Sequence, residues 1–444
     1  MLNLELKMMI KSAAFLLSML FLTTTNCFAQ WSVAHLTQAR CFPGAVAYQS
    51  KVYIAGGYLE ANSGVMTNRI DVYDNTNATW TIDSMSSVRG DVSCVAFNNK
   101  IYFAGGSTNG FGNAKEVDIF NTTTQTWSVD SLMTTQAGAV PVVIGTKIYF
   151  AGGTSTALNG VTKVVSVYDD ASGLWSADSL SMARFALAGA TVGNIAVFAG
   201  GYRNTSSYPT TNRVDIFDAT TGLWTTATLS QARGNINAVA AGGKIFFAGG
   251  LTSVSSGVLS NRVDIYDVAT NTWTQANLSQ ARRSIAVATI GNRVYFAGGE
   301  RSFSQNLPSN VVDIYDFVTN TWMTDTLSVP HDALVGVSVA NKVMFAGGGS
   351  YQSNNYCDVV DIYAENAIGI SEIDLPAEIY FYPNPACEFI TFSESRNTIE
   401  IINMLGEIVI SISEPVTSVS VKELPEGIYF IRSGSSVGKF VVKH

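Results

Sequence analysis

Seven positions sharing one frame carry most of the polar chemistry available to this chain. Arg40, Arg89, Gln136, Arg184, Arg233, Arg282 and His331 follow one another at intervals of 49, 47, 48, 49, 49 and 49 residues. Gathered around one opening, five guanidinium groups would offer planar, bidentate donation to a carboxylate, a sulfate or an acidic peptide. The competing use is internal, with each arginine consumed by carboxylates or backbone of its own repeat. Aspartate recurs in the same manner, at Asp71, Asp118, Asp215, Asp264, Asp313 and Asp361, and a residue repeated once per unit reads as scaffold rather than catalyst. Other chemistry is sparse. The three histidines, His35, His331 and His444, cannot assemble a histidine-rich metal centre. No cysteine pair has zinc-ligand spacing, and no glycine-rich strand-to-helix loop is available to cradle phosphate. No cofactor and no enzymatic activity are expected.

The elements that must position these residues follow the same period. All seven tryptophans, Trp31, Trp80, Trp127, Trp175, Trp224, Trp273 and Trp322, occupy one repeated frame, and a period near 50 signals a solenoid, a propeller or an array. In the repeat from Arg282 to Val329, "SIAVATI" alternates as a strand, Gly291-Asn292 makes a tight turn, and "RVYFAGG", "VVDIYD" and "TWMTD" supply three more strands. Four short strands per unit make one propeller blade. Each second strand ends in a glycine pair, from Gly56-Gly57 to Gly347-Gly348, where the missing Cβ permits positive φ and close approach of neighbouring backbones. Burying the tryptophan and the third-strand aromatic contributes about 2–3 kcal/mol each.

The glycine-pair strand, the aromatic-aspartate strand and the spaced tryptophan resemble the kelch family over residues 31 to 364. That resemblance implies an all-β fold, a seven-bladed kelch β-propeller, but no particular function, because enzymes, adaptors and adhesion modules share the scaffold. The last glycine pair, in "KVMFAGGGSYQSNNYCDVVDIYAEN", is followed by no tryptophan, while "QWSVAHLTQARCF" opens as a fourth strand without a blade. Trp31 to His35 are therefore expected to complete blade seven, and deletion of Gln30 to Leu36 to unravel that blade first. Cys41 and Cys357 should meet at this seam, as a disulfide or as buried free thiols. In ligand-binding kelch proteins the arginine frame position contributes to the binding face, which makes Arg40, Arg89, Arg184, Arg233 and Arg282 ligand-binding candidates. The variable loops on that face carry Tyr58, Phe111, Tyr202, Tyr208, Phe303, Tyr351 and Tyr356, expected as exposed aromatics for stacking on sugars or peptide side chains.

The ends of the chain have other roles. Residues 1–29 read as a secretory signal: Lys7 and Lys11 precede the apolar "SAAFLLSMLFL", which is well short of the ~20 residues a membrane span needs. After residues 30–364, residues 365–377 read as a linker and 378–444 as a small immunoglobulin-like β-sandwich. This tail resembles the type A C-terminal sorting domain of the type IX secretion system through Tyr382-Pro383-Asn384-Pro385, the "NMLGE" turn with Gly406, and "LPEGIYFIR" with Gly427 and Tyr429. The resemblance implies contact with that secretion machinery, removal of the tail, and an extracellular or cell-surface location on a Gram-negative bacterium. The alternative is an accessory domain that stays attached. The triplets containing Ser84, Ser131, Ser179 and Thr326 resemble the O-glycosylation sequon of bacteria that use this route.

Charged residues make up 14% of the chain and the formal net charge is −8, which gives no support to nucleic-acid binding. The resulting expectation is a monomeric, secreted or surface-attached binding protein that recognises a glycan or a protein. The alternatives are a carbohydrate-active kelch enzyme, epimerase- or oxidase-like, and a purely structural surface component. Oxidases of this scaffold use a histidine-rich copper site, for which this chain lacks the histidines.

Overall fold

The computed structural model describes residues 30–59, 64–110, 112–158, 160–203, 207–350, 355–365, 379, 381–404, 406–434 and 436–444. The expected signal segment, most of the linker, Phe111 and Tyr351 lie outside them. The chain divides into two compact units, at Glu365 and Asn366.

Among the described residues, the first unit contains seven four-stranded antiparallel sheets. The sixth is representative: Ala286–Ile290, Arg293–Ala297, Val311–Asp316 and Thr321–Thr326, in that spatial order. Alternation sends one face of each strand into the gap between neighbouring sheets. The innermost strands touch in a closed cycle, from Gly44–Tyr48 through Ser93–Phe97, Val140–Ile144, Ala188–Val192, Asn237–Ala241 and Ala286–Ile290 to Val335–Val339 and back to Gly44–Tyr48. In all seven sheets the third-strand aromatic packs on the fourth-strand tryptophan. Centroids lie from 4.8 Å apart for Tyr315–Trp322 to 5.2 Å for Tyr363–Trp31.

The seam closes as the sequence predicts. Gln30–His35 pairs antiparallel with Val359–Ala364, Trp31 opposite Tyr363 and His35 opposite Val359. Trp31 Nε1 donates to Asp325 of blade six at 2.8 Å. Gly348 N–H donates to the Arg40 carbonyl at 2.8 Å, and a Cβ on Gly347 (φ 67°) would lie 2.8 Å from that same carbonyl oxygen, so the pair is glycine because two blades meet there. The bridge between Cys41 and Cys357 is not made: both are free thiols. The backbones do touch, Arg40 N–H donating to Cys357 O at 3.3 Å. The sulfurs face different partners, however. Cys357 Sγ accepts from Val359 N–H at 3.3 Å, while burial pushes the Cys41 thiol up to about 12.

His331 holds the arginine frame position of blade seven. Its Nδ1 lies 2.7 Å from Gly347 O and its Nε2 3.6 Å from Asp361. Burial opposes charging this ring, but Asp361 and Cys357 outweigh it and raise the pKa from 6.5 to about 9. A raised folded-state pKa contributes stability that is fully present below the unfolded value and is lost as pH rises through the folded one. Thermal stability is therefore expected to fall between about pH 6.5 and 9, and to fall less in His331→Arg, which supplies the charge-permanent side chain that five other blades carry at this position.

The second unit packs a three-stranded sheet (Phe381–Tyr382, Phe389–Arg396, Val416–Ser420) and a four-stranded sheet (Ile399–Asn403, Ile408–Ile412, Gly427–Ser433, Ser436–Val442) around Ile390, Ile401, Ile431 and Phe440. The motif residues organise it. Asn384 donates to Lys439 O at 3.2 Å and accepts from Val441 N–H at 3.0 Å, fastening the last strand. Tyr429 stacks on Phe440, and Gly406 turns with φ 82°. No helix among the described residues is long and apolar enough to cross a membrane.

Candidate functional site

The five arginines expected at the binding face are wholly buried inside the blades. Each pairs with the recurring aspartate of its own third strand: Arg40 with Asp71 and Arg184 with Asp215 at 2.6 Å, and Arg89, Arg233 and Arg282 with Asp118, Asp264 and Asp313. The guanidinium also spans strands. Arg282 Nη1 donates to Gly298 O and Val311 O, each at 2.6 Å. The other aspartate oxygen accepts a backbone N–H from the segment entering the blade, as Ser279 N–H gives to Asp313 at 2.8 Å. Burial lowers each arginine's pKa, with the paired aspartate acting in the opposite direction. Blade three performs the same stitching without charge. Ser166 Oγ donates to Gln136 Oε1 at 2.6 Å, and Gln136 Nε2 donates to Gly152 O at 2.9 Å. A side chain enclosed in this way is scaffold, not ligand contact.

The residue that reaches the axis is two places later in the frame. Phe42, Asp91, Gly138, Ala186, Asn235, Ser284 and Ala333 line one central cavity of about 420 Å³, within the range of small-molecule sites. All seven have positive φ, from 48° at Phe42 to 61° at Gly138. This left-handed turn aims the N–H of Phe42, Asp91, Gly138, Asn235 and Ser284 at the preceding blade: Phe42 donates to Ala333 O at 3.0 Å, Gly138 to Asp91 O at 3.1 Å and Asn235 to Ala186 O at 3.0 Å. A left-handed conformation costs a non-glycine residue about 1–2 kcal/mol. Ala186→Gly is therefore expected to stabilise the protein by about 0.5–1 kcal/mol after the entropic cost of glycine is subtracted, read as a higher urea midpoint.

Around this mouth the loop aromatics are mostly tied down. Tyr58 is half-buried and its hydroxyl donates to Asp91 at 2.7 Å. Burial holds the Asp91 carboxyl above its ordinary range while the Tyr58 and Ser107 hydroxyls act against it. Tyr202 is buried, not exposed, with its phenol pushed up to about 12 by burial against the opposing effect of Arg283. Phe303 lies 4.5 Å beneath the Arg283 guanidinium. Tyr208 is 47% exposed, as expected. Sequence reasoning missed the ring of left-handed residues. The available signal was a frame column whose residue type changes from blade to blade while its neighbours repeat.

The residues resembling a glycosylation sequon end the outermost strands, with Ser84, Ser179 and Thr326 exposed and Ser131 half-buried. Their preceding aspartates have a structural task that explains the recurrence. Asp130 and Asp178 accept Nε1–H of the next blade's Trp175 and Trp224, each at 2.8 Å, as Asp325 does from Trp31. Where the column is alanine, Ala34, Ala227 and Ala276 pack in the clusters of Trp80, Trp273 and Trp322.

Among the described residues no group of three or more His, Cys, Asp or Glu is placed to hold a metal ion. Residues 232–277 and 281–324 match the kelch motif, and residues 380–444 match the secretion system C-terminal sorting domain. No curated protein matches the chain. A solved structure described as a novel fungal alcohol oxidase with catalytic diversity among the AA5 family, in complex with copper, superposes with a TM-score of 0.60. It covers 94% of this chain and 100% of its own at 13% identity, a likeness of fold alone. The sorting domain engages the type IX secretion machinery. The chain is a kelch-repeat β-propeller protein with a C-terminal sorting domain, exported to the exterior or surface of a Gram-negative cell.

Proposed function

We propose that the exported protein, freed of its tail, is a non-catalytic binding protein that recognises an extracellular glycan or protein at the mouth of its central channel. The observation that carries this reading is a contrast between frame columns. Those that build the blades repeat one chemistry in most blades, arginine with aspartate in five of the seven, while the column lining the mouth runs Phe, Asp, Gly, Ala, Asn, Ser and Ala. A scaffold copied seven times that diversifies where its cavity opens presents one asymmetric surface. The Asp91 carboxylate there is engaged by the Tyr58 hydroxyl.

The test screens the exported chain against glycan and extracellular-protein arrays, alongside Phe42→Gly and Asn235→Gly. Glycine accepts the local φ, so these variants remove side chains without straining backbone. Binding lost in either variant supports the proposal. Binding indifferent to both, or turnover of an arrayed sugar, contradicts it.

A further inference from the structure

Between blades one and two lies a cavity of about 160 Å³ that has no lining residue in common with the central one. One column of the repeat explains why it is open. In the equivalent space between blades five and six, Phe317, the residue after the third strand, packs so closely that a Cβ on Gly242 would lie 2.6 Å from its ring. Between blades two and three the same column holds Asp170, which accepts from Asn98 at 2.6 Å and from Lys100 at 2.8 Å. Between blades one and two it holds Thr122, whose short side chain donates to Asn99 O at 3.0 Å, and the gap stays unfilled. Tyr53 lines this gap at 6% exposure, and its hydroxyl has no hydrogen-bond partner among the described residues. Burial, with Asp74 and Asp83 nearby, holds that phenol above its ordinary range. Two glutamines reach the cavity from left-handed turns of the two blades, Gln49 (φ 54°) and Gln125 (φ 58°). The first position is Gly145, Gly193, Gly242 and Gly291 in blades three to six, and the second is Gly173 and Gly222 in blades three and four, as suits a conformation disfavoured for any residue with a Cβ. In blades five and six the second position is Asn271 and Asn320, which accept from the hydroxyls of Tyr266 and Tyr315. Phe120 has no hydroxyl, so Gln125 is not held in that way. Its Nε2 donates to Thr122 O at 2.6 Å, which leaves Oε1 as an acceptor.

We propose that this cavity binds a single uncharged pyranose ring of an extracellular glycan. The site is separate from the channel mouth and does not depend on recognition there. Sugar hydroxyls both donate and accept, and so do the Gln49 amide and the hydroxyls of Tyr53 and Thr81. Half-buried Tyr48 and Phe120 supply aromatic surface for the C–H faces of the ring. The charged lining residues are one of each sign and already engaged. Lys51 pairs with Asp74 at 3.3 Å, and Asp83 accepts from Trp127 Nε1–H at 3.3 Å. Such a lining favours a neutral ring over an acidic or an amino sugar. By the yardstick of about 10–15 Å³ per water, the cavity has room for one sugar ring and not for a folded peptide segment.

The exported chain, titrated by NMR with the methyl pyranosides of glucose, galactose, mannose and N-acetylglucosamine, is expected to bind at least one of them and to ignore glucuronate and glucosamine. Gln49→Gly and Gln125→Gly accept the local φ, and each should weaken that binding at least fivefold without lowering the melting temperature. Tyr53→Phe, which removes only the unpartnered hydroxyl, should weaken it severalfold at unchanged stability. Gln49→Gly/Thr122→Phe copies the Gly242–Phe317 packing into this gap and should abolish binding. A lone ring offers few atoms for binding energy, so titration reads this cavity while washed arrays read the mouth. No binding of any of the four pyranosides, a preference for glucuronate or glucosamine, or binding that survives all these substitutions overturns the inference. Pyranoside binding lost in Phe42→Gly and kept in Gln49→Gly/Thr122→Phe overturns it too, and assigns the sugar to the mouth.

Discussion

Arg233→Gln alone is expected to destabilise the propeller by about 3–5 kcal/mol, and adding Asp264→Ser is expected to recover most of that loss. The single change leaves the Asp264 carboxylate buried without its counter-charge, the situation that makes broken buried pairs so costly. The double change converts blade five to the arrangement blade three already uses. There Gln136 and Ser166 tie the same strands with neutral hydrogen bonds, and Met133 N–H donates to Ser166 Oγ at 3.2 Å where Ser230 N–H donates to Asp264 at 3.1 Å. Urea midpoints of the wild type, both single variants and the double variant form a cycle whose coupling term isolates the pair. Additive losses would mean that the pair is not the unit of stability, contrary to the geometry.

The second large effect concerns the seam. A chain lacking Gln30 to Leu36 is expected to lose ring closure, with proteolysis cutting first within residues 335–364. Deletion leaves Val359–Ala364 as an unpaired edge and removes Trp31 from Phe345 and Tyr363. It also removes Leu36, which is 3% exposed in the cluster joining blades seven and one. Truncating a buried leucine or tryptophan typically costs about 2–5 kcal/mol, so losing both approaches the whole margin of an ordinary domain. Leu36→Ala should reproduce part of the loss, about 2–5 kcal/mol, with the ring still closed. Cleavage spread evenly over all blades after the deletion would show that closure is not carried by this strand.

What the sequence reveals about this fold, and what it hides, divides along a physical line. Trp31 without a blade and Gly347-Gly348 without a tryptophan announce the closure, because a missing strand leaves its period visible. The scaffold role of Asp71 and its counterparts follows from recurrence alone. Arginine is harder to place. The repeat frame reads Arg40 as opening a strand on the mouth face, which suggests exposure, yet it precedes the strand Gly44–Tyr48, its side chain is buried in the blade, and Phe42 lines the axis. The left-handed turn at position 42 breaks the period-two alternation by which side-chain direction is read. The aspartate–tryptophan links were hidden for another reason. Asp178 and Trp224 are 46 residues apart and meet only because consecutive blades are neighbours, so the Asp or Ala choice at that column has meaning only once the ring is known.

The central claim is that recognition belongs to the diversified ring at the channel mouth and not to the repeated arginines. The most direct measurement is array binding by the exported chain carrying Phe42→Gly and Asn235→Gly, compared with Arg233→Gln/Asp264→Ser. The account predicts that the first variant stays folded and loses its ligand, while the second keeps it. Binding retained by the mouth variant and abolished by the folded arginine variant would contradict the account.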